Sequence, residues 1–303
     1  MTKPTETLPD PEAPWDAEAI GAPFSPWRDF LVRFAGNKSA MVGFAIVLVL
    51  CLVAILAPWI ALHPIAEQDL MVSLEPPLTE GFPLGTDQFG RDIFSRLVFG
   101  ARVSLQVGGI VTLVSMLIGI TVGCLAGYHG GRLDAVLSNL INLVYGFPLI
   151  LVALLLVAVI GPGLEGAMIA TGLVIWAGFA RIVRGEVIAL RNREFVMAAR
   201  ALGRGNVWII VRHVLPNIIG PVLVIASFTM AVAVIIETSL SFLGLGAQPP
   251  TPSWGSMLNE GRSVIYRAWW LATFPGIAIA TLVLGFNLLG DGLRDVLDPR
   301  MRT

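Results

Sequence analysis

Few residues of this chain belong to types that carry out catalysis, and their spacing matches no catalytic or metal site. Lysine occurs only at Lys3 and Lys38. Because Asn37 precedes Lys38, the chain has no GxxxxGK[ST] loop to cradle the phosphates of ATP. The three histidines are scattered, and no HExxH helix, Cys/His pair or carboxylate pair lies in an apolar stretch. The sequence therefore predicts neither an enzyme nor a metal site, and any ATP hydrolysis has to come from another polypeptide.

The sequence feature that indicates a function is instead a polar and basic segment over residues 194–217, which is a candidate binding surface for a cytosolic partner. The chain around it is 55% hydrophobic, with a mean hydropathy of +0.79. On both sides of Gly203 apolar residues recur at helical spacing, which predicts two short amphipathic helices. They are Phe195, Ala198, Ala199 and Leu202 before the glycine, and Val207, Ile210, Val211 and Val214 after it. Gly203 and Gly205 permit a sharp turn, and Pro216 suits the first turn of the next helix. The pattern is typical of a docking surface, but also of a basic loop that only follows the charge bias of membrane proteins.

Six apolar stretches predict the helices that position this segment, because about 20 residues are needed to cross a bilayer. They run near residues 40–62, 103–128, 135–160, 166–180, 216–236 and 268–289, and none contains an acidic or basic residue. The fourth is short, so it either extends past Glu165 and Arg181 or lies in a thinned region of the bilayer. In the third, Pro148 interrupts the helical hydrogen bonds and predicts a bend, which serves either static packing or the wall of a pore.

The basic residues orient these spans. When the tails and the even-numbered loops are placed on one side, that side holds fifteen of the twenty Lys and Arg residues. The other side holds five, namely Arg91, Arg96, Arg102, Arg262 and Arg267. This asymmetry predicts that both termini lie in the cytosol. Because topology distributes the basic residues in this way, they form no single face for nucleic acid.

Three segments are predicted along the chain. Residues 1–38 are expected to be a disordered cytosolic tail, because the first 26 residues are rich in proline and acids. Residues 39–100 are expected to hold the first transmembrane helix and an external segment. Residues 101–303 are expected to form the core, with five transmembrane helices and the basic loop near 194–217.

The external segment contains GTDQFGRDIFSR, residues 85–96. Asp87 and Arg91, like Asp92 and Arg96, are four residues apart, which favours ion pairs on one face of a helix. This spacing predicts an interfacial helix.

Glu237 lies directly at the end of the fifth stretch. An acid at membrane depth indicates a functional site, because burying its charge without a partner is costly. Near the outer end of the span, Glu237 either reaches the interface, caps the helix that begins with Thr238 and Ser239, or has a structural or gate role, which we favour over substrate binding.

The basic segment resembles the EAA loop of membrane subunits of bacterial ABC importers, whose pattern is EAA, three residues, Gly, nine residues and I-x-L-P. MAARALG is followed here by nine residues and HVLP. The matching residues are Ala198, Ala199, Gly203, Leu215 and Pro216. Where the pattern has Glu, this chain has Met197, and where the pattern has Ile, it has His213. These two departures affect the most polar contact that the pattern implies. Glu194, one helical turn before Met197, is a candidate for the missing carboxylate.

Three further motifs narrow the resemblance to the C-type permease subunit of dipeptide and oligopeptide importers. They are GTDQFGRDIFSR, SLSFLGLGAQPPTPSWGSMLNEGR and FNLLGDGLRDVLDPR, which with the EAA loop extend over residues 80–300. The resemblance implies an all-α membrane protein of the bacterial inner membrane, with six transmembrane helices and the type I ABC importer permease fold. It also implies transport of di- or oligopeptides by a subunit that is not itself an enzyme.

The resemblance further implies the partners. These are a homologous B-type permease, one or two ATPase subunits that bind ATP and Mg, a periplasmic or lipid-anchored binding protein, and membrane lipid. The chain itself is expected to bind no cofactor and no nucleic acid. Residues 194–214 would lie in a groove of the ATPase, where Arg200 and Arg204 meet either its acidic groups or solvent and lipid headgroups. Pro148 and Glu237 are candidates for the pathway or a gate.

Two alternatives remain open at this stage. The same machine could import glutathione, nickel complexes or another small solute, since nothing in the spans separates these cargoes. An ion-coupled secondary transporter, or a channel, is the alternative of a different class. Such carriers usually need ionisable groups or broken helices near the midplane. The bend at Pro148 supports this alternative weakly, and it leaves the long basic loop unexplained.

Overall fold

The structure, a computed structural model, describes residues 26–297. Its regular elements are helices, together with two isolated β-bridges in the segment between the first two spans. In chain order the helices are α1 Pro26–Gly36, α2 Lys38–Ile60, α3 Ile93–His129, α4 Gly131–Tyr145, α5 Leu149–Ile160, α6 Leu164–Leu190, α7 Glu194–Ala201, α8 Asn206–Ile209, α9 Leu215–Phe242, α10 Trp254–Arg262 and α11 Trp270–Leu297. This arrangement confirms the predicted all-helical fold.

The predicted disordered tail is wrong over residues 26–36, where α1 forms, and over residues 1–25 it lies outside the described residues. Asp29 and Arg33 form an ion pair at 3.7 Å, one helical turn apart. Phe30 stacks on Phe34 with ring centroids 5.8 Å apart. Proline content misled the prediction, because Pro26 stands at the start of the helix, where its missing N–H costs nothing.

Five helices are long and apolar enough to cross a membrane, and the bent pair of α4 and α5 makes a sixth if the two cross as one broken span. The fourth predicted span extends past both of its limiting charged residues, as α6. The third is broken more sharply than a bend implies, because α4 and α5 meet at an angle of 89°. The break lies at residues 146–148, where Pro148 becomes the cap residue before α5.

Small residues set the closest helix contacts. Along α3, Gly119, Gly123 and Gly127 face α6. A Cβ atom on Gly123 would come within 2.8 Å of both the carbonyl oxygen of Ala180 and the Cβ of Val183. The absence of side chains at these positions therefore lets α3 and α6 pack backbone to backbone. This contact holds α6, and the cytosolic loop that follows it, against the centre of the bundle.

Candidate functional site

The segment over residues 194–214, here called the coupling loop, is built around a left-handed glycine. Gly203 has a φ of +76°. Its N–H donates to the carbonyl of Arg200 at 3.0 Å, and the N–H of Arg204 donates to the carbonyl of Ala199 at 3.2 Å. These two bonds form a Schellman motif, which ends α7 and satisfies its last carbonyls. The predicted glycine turn is thus present, and the motif explains why a glycine is required there.

After this turn, the second predicted helix is not a separate element. α8 continues through a π-helical turn, Ile210–Val214, directly into α9. The candidate span accordingly runs over Asn206–Phe242 without a break. Pro216 lies in the first turn of α9, as predicted. α8, the π-helical turn and α9 therefore form one continuous helix.

The apolar residues of the coupling loop divide into two sets. Val196, Ala199, Ile209 and Val214 are buried in one cluster with Val183, Val187 and Ile218. Phe195, Met197, Leu202, Val207, Trp208 and Val211 are between 40% and 80% exposed. The first set anchors the loop to α6 and α9. The second is an apolar patch on the exposed side of the loop, of the kind that marks protein interfaces.

The other predicted site residues of the loop lie mostly on its exposed side. Glu194 begins α7 and is exposed, as are Ala198, Arg200 and Arg204. The guanidinium of Arg204 lies 4.7 Å from the ring centroid of Trp208. The ring of His213 lies 5.0 Å from that of Trp208 and 6.2 Å from that of Phe195, so it joins the two arms of the loop. Leu215 is half-buried at the start of α9.

A cavity of about 180 Å³ lies beside the break between α4 and α5. Tyr145 lines it, and a Cβ atom on Gly178 would come within 2.8 Å of the Tyr145 hydroxyl, so the glycine makes room for the ring. The guanidinium of Arg181 stacks 4.0 Å from the Tyr145 ring centroid and donates to Asn142 at 3.3 Å. The rest of the lining is mostly apolar and comes from α5, α6 and α9. Pro148 is exposed at the same break.

Glu237 neither reaches an interface nor caps a helix, so both of those alternatives are wrong. It is fully buried inside α9, which continues to Phe242. Its carboxylate accepts a hydrogen bond from the Ser241 hydroxyl at 2.6 Å, and that hydroxyl accepts from the N–H of Ala247 at 3.3 Å. The contacts tie the outer end of α9 to the turn that follows, which supports a structural role for Glu237.

On the external side a cluster of four charged residues, here called the clasp, joins distant parts of the chain. Arg91 binds Asp87 at 2.5 Å and Glu260 at 2.7 Å, and Arg96 binds Glu260 at 3.2 Å. Asp87, Arg91 and Arg96 are almost completely buried. The clasp therefore fixes the start of α3 against α10.

The predicted interfacial helix is wrong over residues 87–92, whereas residues from Ile93 onward are helical as the start of α3. Residues 87–92 form a turn, in which Asp87 also accepts from the N–H groups of Phe89 at 2.8 Å and Arg91 at 3.0 Å. α3 begins only at Ile93, where Asp92 is its cap and accepts from the N–H of Ser95 at 2.9 Å. A carboxylate that caps a helix start in this way replaces the ion pair with Arg96 that the spacing suggested.

The predicted site residues thus fall into separate places. Those of the coupling loop lie together on the cytosolic side, whereas Pro148 and Glu237 are on other elements. The sequence analysis missed three contributors: Glu260 in the clasp, and Tyr145 and Asn142 beside the cavity. Glu260 lies 169 positions from Arg91, so no local spacing pairs them. A tyrosine just before a Gly-Phe-Pro break was the one available signal for the cavity.

Comparison with protein families gives two matches. The family described as binding-protein-dependent transport system inner membrane component matches residues 119–303. The N-terminal TM domain of oligopeptide transport permease C matches residues 25–77.

Curated relatives match over nearly the full length. A dipeptide transport system permease protein of Alkalihalophilus pseudofirmus is 44% identical, with 99% of this chain and 98% of the relative covered. An oligopeptide transport system permease protein of Bacillus subtilis is 38% identical, with 95% and 94% covered. A glutathione transport system permease protein of Pectobacterium atrosepticum is 40% identical, with 92% and 93% covered.

Among solved structures, an inward-facing form of the MetNI methionine ABC transporter contains a chain of similar fold. The TM-score is 0.57 at 20% identity, over 68% of this chain and 98% of that one. At this identity the likeness supports the fold alone.

Proposed function

Since this chain belongs to the family of binding-protein-dependent transport system inner membrane components, and is a multi-pass protein of the inner membrane, we propose that it forms half of an ATP-driven path for di- and oligopeptides. The observation that carries the proposal is the coupling loop. Its exposed apolar patch lies on the cytosolic side, on a helix that continues into a membrane span.

The patch is suited to dock an ATPase subunit. Phe195, Leu202 and Val207 present apolar surface, while Arg200 and Arg204 add positive charge at its edge. The buried residues that include Val196 and Ile209 hold the loop against α6 and α9 when a bound ATPase subunit exerts force on the patch. Docking energy at such a patch comes from apolar burial, and the arginines contribute orientation and selectivity.

Coupling follows from the continuity of α8 with α9. When ATP closes the pair of ATPase subunits, the coupling loop moves with them, and the fifth span moves as part of the same continuous helix. This biases the permease between inward-open and outward-open states. ATP and Mg bind to the ATPase subunits, and this chain supplies the mechanical connection.

The path itself is shared with a second, homologous permease chain, and a binding protein delivers the substrate to the external side. The break at Pro148 and the cavity lined by Tyr145 form part of the path wall in this proposal. A broken helix frees backbone groups that a passing peptide can contact, and such irregular backbone is tolerated at membrane depth where it lines a cavity. Glu237 stabilises the outer end of α9 rather than contacting the substrate.

Glutathione is the second candidate cargo, because one relative of comparable identity is a glutathione transport permease. Glutathione is itself a tripeptide, so the same path chemistry would serve both. Family membership argues against an ion-coupled carrier.

Uptake measurements test the proposal. Cells with and without this chain are given labelled dipeptide, a longer peptide, glutathione or nickel. Selective loss of peptide uptake is the expected result. Loss of glutathione or nickel uptake alone would support the role as an importer subunit but assign it a different substrate. Unchanged uptake of all four would contradict the proposed substrates.

A further inference from the structure

A second cytosolic feature lies beside the coupling loop and shares only Arg200 with the proposed docking surface. An open pocket of about 310 Å³ lies where the end of α3, the start of α4, the end of α6 and α7 meet. Tyr128, Gly130, Gly131, Arg191 and Arg200 are among its lining residues. Four elements that are distant in sequence therefore converge on one space.

The pocket has a positive lining. Arg191 donates one hydrogen bond to the carbonyl of Gly127 at 3.0 Å, which anchors its guanidinium at the pocket and leaves other N–H groups free. The guanidinium of Arg200 lies 5.4 Å from the ring centroid of Tyr128. The nearest carboxylate in α4, that of Asp134, is bound by Arg184 at 2.5 Å and 2.8 Å. Asp134 is also close enough to Arg191 to attract its charge, but both of its carboxylate oxygens are already bound by Arg184.

The start of α4 adds backbone donors to this lining. α4 has 15 residues, and no side chain caps its first turn. Gly130 and Gly131 both have positive φ, and a Cβ atom on Gly131 would meet open space. The first N–H groups of an uncapped helix carry partial positive charge and bind anions.

An independent observation points to a ligand. Tyr128 is only 5% exposed, yet its hydroxyl has no hydrogen-bond partner among the described residues. A buried hydroxyl without a partner costs free energy, so it is usually satisfied by a bound group or by water. Here the side chain lines the pocket that also holds the two arginines and the helix start.

We propose that this pocket binds a phosphate group. A phosphate offers several acceptor oxygens and a charge of one or two, so it can accept at once from guanidinium groups, backbone N–H groups and a phenol. The group comes either from inorganic phosphate or from the headgroup of an anionic phospholipid, because the pocket lies at the cytosolic ends of two spans. Bound there, it would link α3 and α6 to α7, the first helix of the coupling loop.

The test uses the purified full-length chain in dodecyl maltoside, a detergent without phosphate. One arm measures equilibrium binding of radiolabelled inorganic phosphate. The other arm adds phosphatidylglycerol and counts the lipids retained by native mass spectrometry. Both arms compare the wild type with Tyr128→Phe, Arg200→Gln and the control Arg193→Gln, which removes an exposed positive charge outside the pocket lining.

Tyr128→Phe and Arg200→Gln are each expected to weaken binding roughly tenfold, because each loses one hydrogen bond to a charged group. Arg193→Gln is expected to bind as the wild type does. Loss in the phosphate arm identifies a free anion, and loss in the lipid arm alone identifies a headgroup. Binding by neither probe, or equal weakening by Arg193→Gln, would overturn the proposal. Thermal unfolding of each variant shows whether the fold is kept.

Discussion

The clasp and the coupling loop are both short motifs rich in charge, yet they use their side chains in opposite ways. In the clasp, Asp87, Arg91 and Arg96 are buried, and each has an opposite charge within the same chain. In the coupling loop, Leu202 is 80% exposed and Val207 is 76% exposed, although both are apolar. The clasp is therefore complete within one chain, whereas the coupling loop leaves apolar surface without an intramolecular partner.

This difference separates a motif that stabilises the fold from a motif that binds a partner. A buried set of opposite charges specifies how the chain packs, and removing one partner leaves an uncompensated charge in a low dielectric. An exposed apolar patch costs little in the isolated chain and gains free energy only when a partner covers it. We expect substitutions in the clasp to change stability, and substitutions on the exposed side of the coupling loop to change transport.

The largest effect is expected at Gly203, where Gly203→Val should abolish uptake while membrane insertion remains normal. A β-branched residue is strained at a φ of +76°, and the strain disrupts the Schellman motif that sets the angle between α7 and α8. Peptide uptake in cells, together with the amount of chain in the membrane, measures this.

Gly81→Val is the matched control for that substitution. Gly81 is exposed in the external segment, has a φ of +81°, and like Gly203 has no heavy atom within 4 Å of a built Cβ. Both variants carry similar backbone strain of about 1–2 kcal/mol. Retained uptake in Gly81→Val with loss in Gly203→Val assigns the defect to coupling, and normal uptake in Gly203→Val would refute the coupling role.

The clasp should show the largest loss of stability. Arg91→Met removes the cation that binds both Asp87 and Glu260, and it leaves the Asp87 carboxylate buried without its closest partner. Breaking a buried ion pair in this way costs about 3–5 kcal/mol. Thermal unfolding of the purified chain is the measurement.

Arg33→Met serves as the comparison, because Arg33 pairs with Asp29 at 3.7 Å with both side chains more than 40% exposed. An exposed pair of this kind contributes about 0–1 kcal/mol. If the two variants lost the same stability, burial would not be what distinguishes the clasp.

A smaller effect should separate the two sides of the coupling loop itself. Ile209 is fully buried and Val207 is 76% exposed, only two residues away. Ile209→Ala should cost about 2–5 kcal/mol of stability, because it leaves a cavity in the cluster under the loop. Val207→Ala should change stability by less than about 0.5 kcal/mol, yet weaken ATPase association. Thermal unfolding of this chain measures the stability of both variants, and co-purification of the ATPase subunit measures its association with them. A loss of stability in Val207→Ala would contradict the assignment of Val207 to a docking patch.

Much of the fold was accessible from local sequence. Apolar length predicts the spans, and the missing N–H of Pro148 predicts the interruption of the third one. The angle of 89° between α4 and α5 was not accessible, because it depends on how Tyr145 and Arg181 pack across the break. Composition alone does not predict α1, whose signal is the helical spacing of Phe30 and Phe34.

The site residues likewise divide into those that local sequence predicts and those that depend on contacts between distant elements. Gly203 was found because a turn demands a local conformation that only a few residues adopt. The spacing of Asp87 and Arg91 fits a helix as well as a tight turn, so the sequence predicts their pairing but not the turn that holds them. Glu260 and the Tyr128 pocket depend on contacts between distant elements, which spacing along the chain does not encode.

The smallest expected effect concerns the missing glutamate of the EAA pattern. Glu194 and Met197 are three residues apart on α7, both are exposed, and residues at this spacing share a helix face. If Glu194 supplies the carboxylate, Glu194→Gln should weaken ATPase association by less than about 1 kcal/mol, as expected for an exposed charge contact. Adding Met197→Glu to that variant should restore it, because the new carboxylate reaches the same side of the helix. Neither change should alter thermal unfolding, since neither side chain is part of the buried cluster. Failure of Met197→Glu to rescue the Glu194→Gln variant would mean that the two positions meet different groups on the partner, and that the docking surface here relies on its apolar patch instead.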